Sequence, residues 1–237
     1  TAGPIATCGG SLSTTAPDTI TFTGGTLTAD TNCTLAGITV TATTAGPHTN
    51  VSGFISSTET GANTGPGGSA TATLTAISPP QISKNFAPNP VVLTGATALS
   101  KITFTITNPN QDEVLTDVAF SDTFPTSPGN MVVAPAPNTT TVGCGAPTFA
   151  PAAGAGSIVF DDGTIAAGGT CTLTVDVVAP TAGEYASPYV NTTGAVSDVI
   201  AGAGNTASDE LVVLSPQPGI SLVKQVSTTG ADPWTPY

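Results

Sequence analysis

The run Lys101-Ile102-Thr103-Phe104-Thr105-Ile106-Thr107 alternates an apolar residue with a polar one at nearly every step. A period of two is the pattern of a strand with one buried and one solvated face. Seventy positions on, Cys171-Thr172-Leu173-Thr174-Val175-Asp176-Val177 repeats it and sets Cys171 on the same face as Leu173 and Val175. Outward from these two runs, strands are expected at 115–121, 131–135, 157–160, 189–196 and 208–214. Asn108-Pro109-Asn110, Ser127-Pro128-Gly129 and Asp161-Asp162-Gly163 read as turns between them. No window carries a 3.6-residue period. Short strands at roughly ten-residue spacing make the chain all-β, in immunoglobulin-like β-sandwiches.

The chain also repeats itself. CGGSLSTTAPDTITFTGGTLTADTNCTLAGITVTATTAG, from Cys8, aligns with CGAPTFAPAAGAGSIVFDDGTIAAGGTCTLTVDVVAPTAG, from Cys144. Asn50-Val51-Ser52-Gly53 then matches Asn191-Thr192-Thr193-Gly194, and Ala76-Ile77-Ser78-Pro79 matches Val213-Leu214-Ser215-Pro216. Ile82-Ser83 and Ile220-Ser221 restart the pattern. A period this long is a domain rather than a solenoid turn. The expected organisation is tandem sandwiches: the C-terminal portion of one repeat at 1–79, a complete repeat at 80–215, and the first strand of a third at 216–237. Pro79-Pro80 and Pro216-Gln217-Pro218 serve as linkers. The first copy is one residue longer after its second cysteine, so a β-bulge is expected at Ala36-Gly37, restoring register for Ile38 and Val40.

Four cysteines allow three pairings. Because each copy carries its own pair at the same places, Cys8–Cys33 and Cys144–Cys171 are assigned, one disulfide per domain. Two disulfides point to an oxidising compartment, extracellular or cell-surface. No apolar run approaches the roughly 20 residues that span a bilayer, and the opening Thr1-Ala2-Gly3-Pro4 suggests a piece of something longer.

Composition narrows the partners. The chain has 15 acidic residues, three lysines (Lys84, Lys101, Lys224), no arginine and one histidine, for a net charge of -12. Nucleic acid is excluded, since phosphate neutralisation needs Lys or Arg, and an anionic membrane surface is disfavoured for the same reason. Threonine, at 45 residues, does the polar work of the solvated faces without counter-ions. Few basic residues also leave few sites for trypsin-like proteases.

Longer motifs carry a family resemblance. Ile82-Ser83-Lys84-Asn85-Phe86-Ala87-Pro88, then Ile102 to Asn110, resembles the bacterial surface repeats of the eleventh catalogued domain of unknown function. So do Leu115-Thr116-Asp117-Val118-Ala119-Phe120-Ser121-Asp122-Thr123-Phe124-Pro125 and Ile165-Ala166-Ala167-Gly168-Gly169-Thr170-Cys171. The resemblance implies tandem sandwiches of large secreted or wall-attached proteins, stalk-like or adhesive, and it brings no active site.

The repeat tests candidate sites. His48 falls opposite Glu184 or Tyr185 and reads as a loop residue; Asp18, Asp30 and Glu59 lie opposite Gly156, Gly168 and Ile200. What recurs is Cys, Gly, Asn and aliphatic positions, as in a scaffold. Asp112, Glu113, Asp117 and Asp122 cluster where the first copy has no counterpart; oxygen ligands would suit calcium, but no spaced calcium loop is present and a solvated acidic edge is expected. Asn32, Asn50, Asn138 and Asn191 sit in glycosylation sequons, and of these Asn50 and Asn191 correspond between copies. Lys84, early in the repeat, and Asn191 or Asn205, late in it, are a candidate isopeptide pair with a carboxylate assisting. Asp161 and Asp162 are the obvious carboxylates for a glycosidase, yet they sit in the expected turn aligned with Phe22-Thr23-Gly24-Gly25-Thr26. With one histidine and no arginine, an enzyme is not expected.

The expectation is therefore a non-enzymatic extracellular structural protein without cofactor, a segment of a surface fibre, stalk or filament. Its partners would be copies of itself or adjacent repeats, and the tail 216–237 has the character of a strand that a neighbour's open edge could accept. The alternative is an adhesin module whose loops bind glycan or another cell-surface partner.

Overall fold

The computed structural model describes residues 5–15 and 19–216. Every regular element among them is a β-strand. The chain divides into two compact units, Thr1–Ala76 and Ile77–Tyr237.

The second unit is built on the alternating run Lys101 to Thr107. Lys101 to Thr107 lies in the strand Ala98–Thr107, whose inward positions Ala98, Ser100, Ile102, Phe104 and Ile106 are all buried. It pairs antiparallel on one side with Thr170–Ala179 (Phe104 opposite Leu173) and on the other with Gln81–Ala87 (Phe104 opposite Lys84). Val132–Val133 and Thr140–Val142 add to the far side of Thr170–Ala179. A second sheet is centred on Leu115–Thr123, flanked by Ser157–Ile165 and, through Ala119, by the short hairpin Ser197–Asp198/Gly202–Ala203. The hairpin Tyr189–Thr192/Ser208–Leu211 lies beside it, joined by the bridge between Asp122 and Thr193.

Phe104 of the first sheet meets Phe120 of the second at 5.1 Å between ring centres, and Phe120 meets Phe160 at 5.7 Å. Such offset aromatic contacts fill the space between two stacked sheets. Ile102, Leu173, Val175, Ile165 and Leu211 complete a core with no measurable exposure. The disulfide Cys144–Cys171 is buried in the same core.

Ser157–Ile165 departs from the expected turn. The strand runs on through Asp161-Asp162-Gly163, and the ladder with Leu115–Thr123 shifts register there. Asp162, at φ +57°, takes up the shift as a bulge. Turn chemistry and bulge chemistry use the same residues, because both need the left-handed region.

In the first unit Ser11–Thr15 pairs with Thr19–Thr23, and Gly46–Val51 pairs with Thr71–Ala76. Ile5–Ala6 pairs with Leu35–Ala36, and Ser56–Ser57 with Gly61–Ala62. The disulfide Cys8–Cys33 closes this unit, and none of its described hydrophobic side chains is fully buried. The bulge expected at Ala36-Gly37 is instead a strand end: the ladder stops at Ala36, Gly37 turns away at φ +77°, and Val40 is exposed. A register-restoring bulge has no purpose where no partner strand continues.

Several local contacts recur at aligned positions of the two units. The amide of Thr26 donates to the Cys8 carbonyl at 3.0 Å, and that of Thr164 to the Cys144 carbonyl at 2.9 Å. Gly24 and Asp162 both have positive φ. A Cβ on Gly25 or on Gly163 would lie 2.6 Å from the ring of Phe22 or Phe160. The segment expected to start a third repeat lies, apart from Pro216, outside the described residues.

Candidate functional site

The most unusual chemistry lies between the sheets of the second unit. Gln81–Ala87 points Ile82, Lys84 and Phe86 inward, so the period that buries two hydrophobes also buries a lysine. Leu115–Thr123 has a residue at φ +54°, Asp117, which shifts its alternation; from there Val118, Phe120 and Asp122 all face the core. Tyr189–Thr192 sends Tyr189 and Asn191 inward. Three strands thereby deliver an amine, a carboxylate and a carboxamide to one point.

Lys84 Nζ donates to Asp122 Oδ2 at 2.9 Å and to Asn191 Oδ1 at 2.6 Å. Asn191 Nδ2 donates to Asp122 Oδ1 at 2.7 Å and to the Thr123 carbonyl at 3.1 Å. Each pair of side chains in the triangle is thus in direct contact. The Lys84 and Asp122 side chains have 0% exposure and Asn191 only 1%. The Phe104 ring, its centre 5.6 Å from Nζ, forms part of the wall. Burial pushes the Lys84 ammonium below its ordinary range, opposed by Asp122 and, more weakly, by Asp209. Removing an ion pair from water costs several kcal/mol per ion, so such a cluster is an expensive way to stabilise a fold.

Of the two asparagines expected opposite Lys84, the structure brings Asn191. Asn205 is used elsewhere: it accepts from the Ile82 amide and donates to the Ile82 carbonyl, both at 2.8 Å, clamping the first strand's edge. The assisting carboxylate is Asp122, a member of the expected acidic edge. That edge does not hold together, because Asp122 points into the core while Asp112 and Asp117 are exposed and Glu113 is half-buried. Among the described residues no three His, Cys, Asp or Glu side chains are grouped to hold a metal.

The sequon asparagines separate in the same way. Asn191 is buried with both amide hydrogens engaged, whereas a glycan acceptor must reach solvent. Asn50 is exposed, as are Asn32 and Asn138, and Asn138 also donates to Asp176 at 2.7 Å. His48 is not in a loop but in the strand Gly46–Val51, two residues before Asn50, where Tyr189 stands before Asn191. Asp161 and Asp162 are exposed on the bulge, with Asp162 accepting from Thr148 Oγ1 at 2.7 Å.

Two further polar groups were missed. Asn110 accepts from the Ser78 amide at 2.7 Å and donates to its carbonyl at 2.9 Å, fixing the chain just before Pro79-Pro80. Buried Asp198 caps three backbone amides, those of Thr116, Ile200 and Ala201. Both are Asx residues beside turns, the only cue the sequence offered.

What the fold and the cluster define is a disulfide-closed β-sandwich whose interior chemistry joins strand to strand. Residues 80–213 match a family model described as Domain of unknown function (DUF7933), and the chain belongs to that family. The broad expectation of a domain family without an assigned function holds, and the family that matches is DUF7933. Among solved structures the chain is similar to the major pilin subunit BcpA of Bacillus cereus, at 12% identity and a TM-score of 0.38. A variant of that subunit aligns at 10% identity and the same TM-score. Each alignment covers 56% of this chain and 40% of the pilin, so the chain spans less than half of those subunits. No curated protein matches it.

Proposed function

We propose that the chain is a non-enzymatic segment of an extracellular surface fibre or stalk built from tandem β-sandwiches, each closed by its own disulfide. The observation that carries the reading is the recurrence of the disulfide-proximal geometry at aligned positions: Thr26 on Cys8, Thr164 on Cys144, and a glycine under Phe22 and under Phe160. A unit reused along a chain with its crosslink intact serves projection and tensile strength. Its partners are adjacent repeats of the same polypeptide or further copies of it. The polar side chains of the complete unit's core support the same reading, since Lys84, Asp122, Asn191, Asn108 and Asp198 all bond across strands or cap them.

Immunogold labelling of the producing cells with antibody against this chain tests it. Gold aligned along filaments or stalks is expected. Label confined to the culture fluid or the cytoplasm overturns the reading, and specific binding of the chain on a glycan array, without filaments, replaces it with the adhesin module.

A further inference from the structure

We propose that Lys84 and Asn191 become covalently joined through an intramolecular isopeptide bond, with Asp122 as the proton carrier. The three groups stand in the arrangement the reaction requires. The nucleophile, Lys84 Nζ, already contacts the amide to be attacked, 2.6 Å from Asn191 Oδ1. One carboxylate touches both nitrogens involved: its Oδ2 is 2.9 Å from Lys84 Nζ and its Oδ1 is 2.7 Å from Asn191 Nδ2, the group that would leave. A salt bridge evolved for stability alone needs no carboxamide between its partners, and a structural asparagine needs no buried ammonium.

The step balances. Asp122 takes a proton from the Lys84 ammonium, leaving a free amine. Its lone pair attacks Asn191 Cγ, forming the Nζ–Cγ bond and a tetrahedral carbon. Asp122 returns its proton to the departing nitrogen, and the amine's surplus proton follows by the same carboxylate. The Cγ–Nδ2 bond breaks, and ammonia departs with the remaining proton as ammonium. No oxidant, metal or cofactor is consumed. Three features of the site favour the reaction. Burial lowers the cost of deprotonating Lys84. Exclusion of water strengthens the contacts and removes hydrolysis as a competitor. Packing holds nucleophile and electrophile together, which converts a very slow bimolecular aminolysis into a positioned unimolecular one.

The product would span residues 107 apart in sequence and enclose the Cys144–Cys171 loop entirely. It would tie the edge strand Gln81–Ala87 to the hairpin strand Tyr189–Thr192, near the two ends of the complete unit. Aligned Asn50 is exposed, and no lysine of the described first-unit residues is available to it. The site is thus specific to a unit that holds both halves of the repeat.

Intact mass spectrometry of the whole purified chain, before and after reduction, reads the bond directly. The wild type is expected to be lighter than its sequence by one ammonia after reduction is accounted for, and digestion should yield one branched peptide joining Lys84 to Asn191. Lys84→Met keeps the volume and the apolar surroundings, and should restore the full mass. Asp122→Asn should slow the loss by about 100-fold or more, as removal of a positioned acid–base group does. Circular dichroism and thermal melting confirm that each variant is folded. A succinimide at another asparagine also loses ammonia, but it reopens in mild base and would persist in Lys84→Met. A folded wild type at full mass, or a loss that survives Lys84→Met, overturns the proposal.

Discussion

His48 and Tyr189 each stand two residues before the aligned asparagine of their strand, Asn50 or Asn191, and each ties its side chain to the carbonyl of the threonine that opens a Thr-Ala-Gly sequence. His48 Nε2 is 2.8 Å from the Thr44 carbonyl, and the Tyr189 hydroxyl donates to the Thr181 carbonyl at 2.9 Å. Sequence alignment set His48 against Glu184 or Tyr185 because the second unit has extra residues between Gly183 and its strand. The bonded pairs, Asn50 opposite Ala72 and Asn191 opposite Asp209, supply the correct registration. Burial raises the Tyr189 phenol above its ordinary value near 10, against the opposing pull of its bonds to Thr181.

Tyr189→Phe removes that bond and leaves the Thr181 amide and carbonyl without their partner. A loss of about 1–2 kcal/mol is expected, measured by chemical denaturation. The unfolded phenol releases its proton near pH 10 while the folded one keeps it. Stability should therefore fall as pH rises above about 10, and Tyr189→Phe should flatten that alkaline limb. A variant with an unchanged limb would remove Tyr189 from the account.

Gly163→Ala presses a Cβ to within 2.6 Å of the buried Phe160 ring. Phe160 is fully buried and packed against both Phe120 and Phe149. A cost of about 1–3 kcal/mol follows from overpacking, visible as a lowered melting temperature with an unchanged spectrum. A neutral substitution would show that the ring moves freely.

The two disulfides differ in access. Cys144 and Cys171 are 2% and 0% exposed, while Cys8 and Cys33 are half-buried. Thiol–disulfide exchange requires an attacking thiolate to reach a sulfur. Under native conditions a mild reductant should open Cys8–Cys33 first, leaving two alkylated cysteines by mass. Equal rates, or the reverse order, would contradict the burial difference. Replacing Cys144 and Cys171 together with serine should cost about 3–4 kcal/mol on the chain-entropy model.

Trypsin has little to act on in the complete unit. The Lys84 side chain is wholly buried, and Lys101 lies within a strand paired on both sides, its amine 2.6 Å from Asp176. Native digestion should leave residues 80–213 in one piece for hours, whereas prior unfolding should expose Lys101. Rapid native cleavage at Lys101 would refute this.

Much of this fold was legible because period two is a strong signal. Ile102, Phe104 and Ile106, and Cys171, Leu173 and Val175, are buried as their alternation requires. The disulfide pairing, Cys8–Cys33 and Cys144–Cys171, was legible from the matching positions of the cysteines in the two aligned segments. The cluster was half legible: Lys84 and Asn191 were visible as an early lysine and a late asparagine. Asp122 was read as part of an exposed edge because it neighbours Asp112 and Glu113 in sequence. Its parity with Val118 and Phe120 placed it inside, but strict counting from Leu115 gives the opposite face; the irregularity at Asp117 intervenes. The Asp161-Asp162-Gly163 bulge was hidden for a related reason, since a bulge and a turn draw on the same residues. No sequence pattern distinguishes a strand that reverses from one that shifts by a residue and continues.

Single-molecule stretching tests most directly whether the complete unit is a fibre element locked against tension. Handles placed at Pro80 and Ser215 would pull the whole chain across that unit alone. With Lys84 joined to Asn191, only the short flanks outside the 107-residue span can lengthen, a contour gain of about 100 Å at roughly 3.5 Å per residue. With the Cys144–Cys171 disulfide as the sole crosslink, sparing a separation of 27 residues, the gain would be about 380 Å on the same measure. The short extension is expected in the wild type and the long one in Lys84→Met; the long extension in the wild type would contradict the Lys84–Asn191 link.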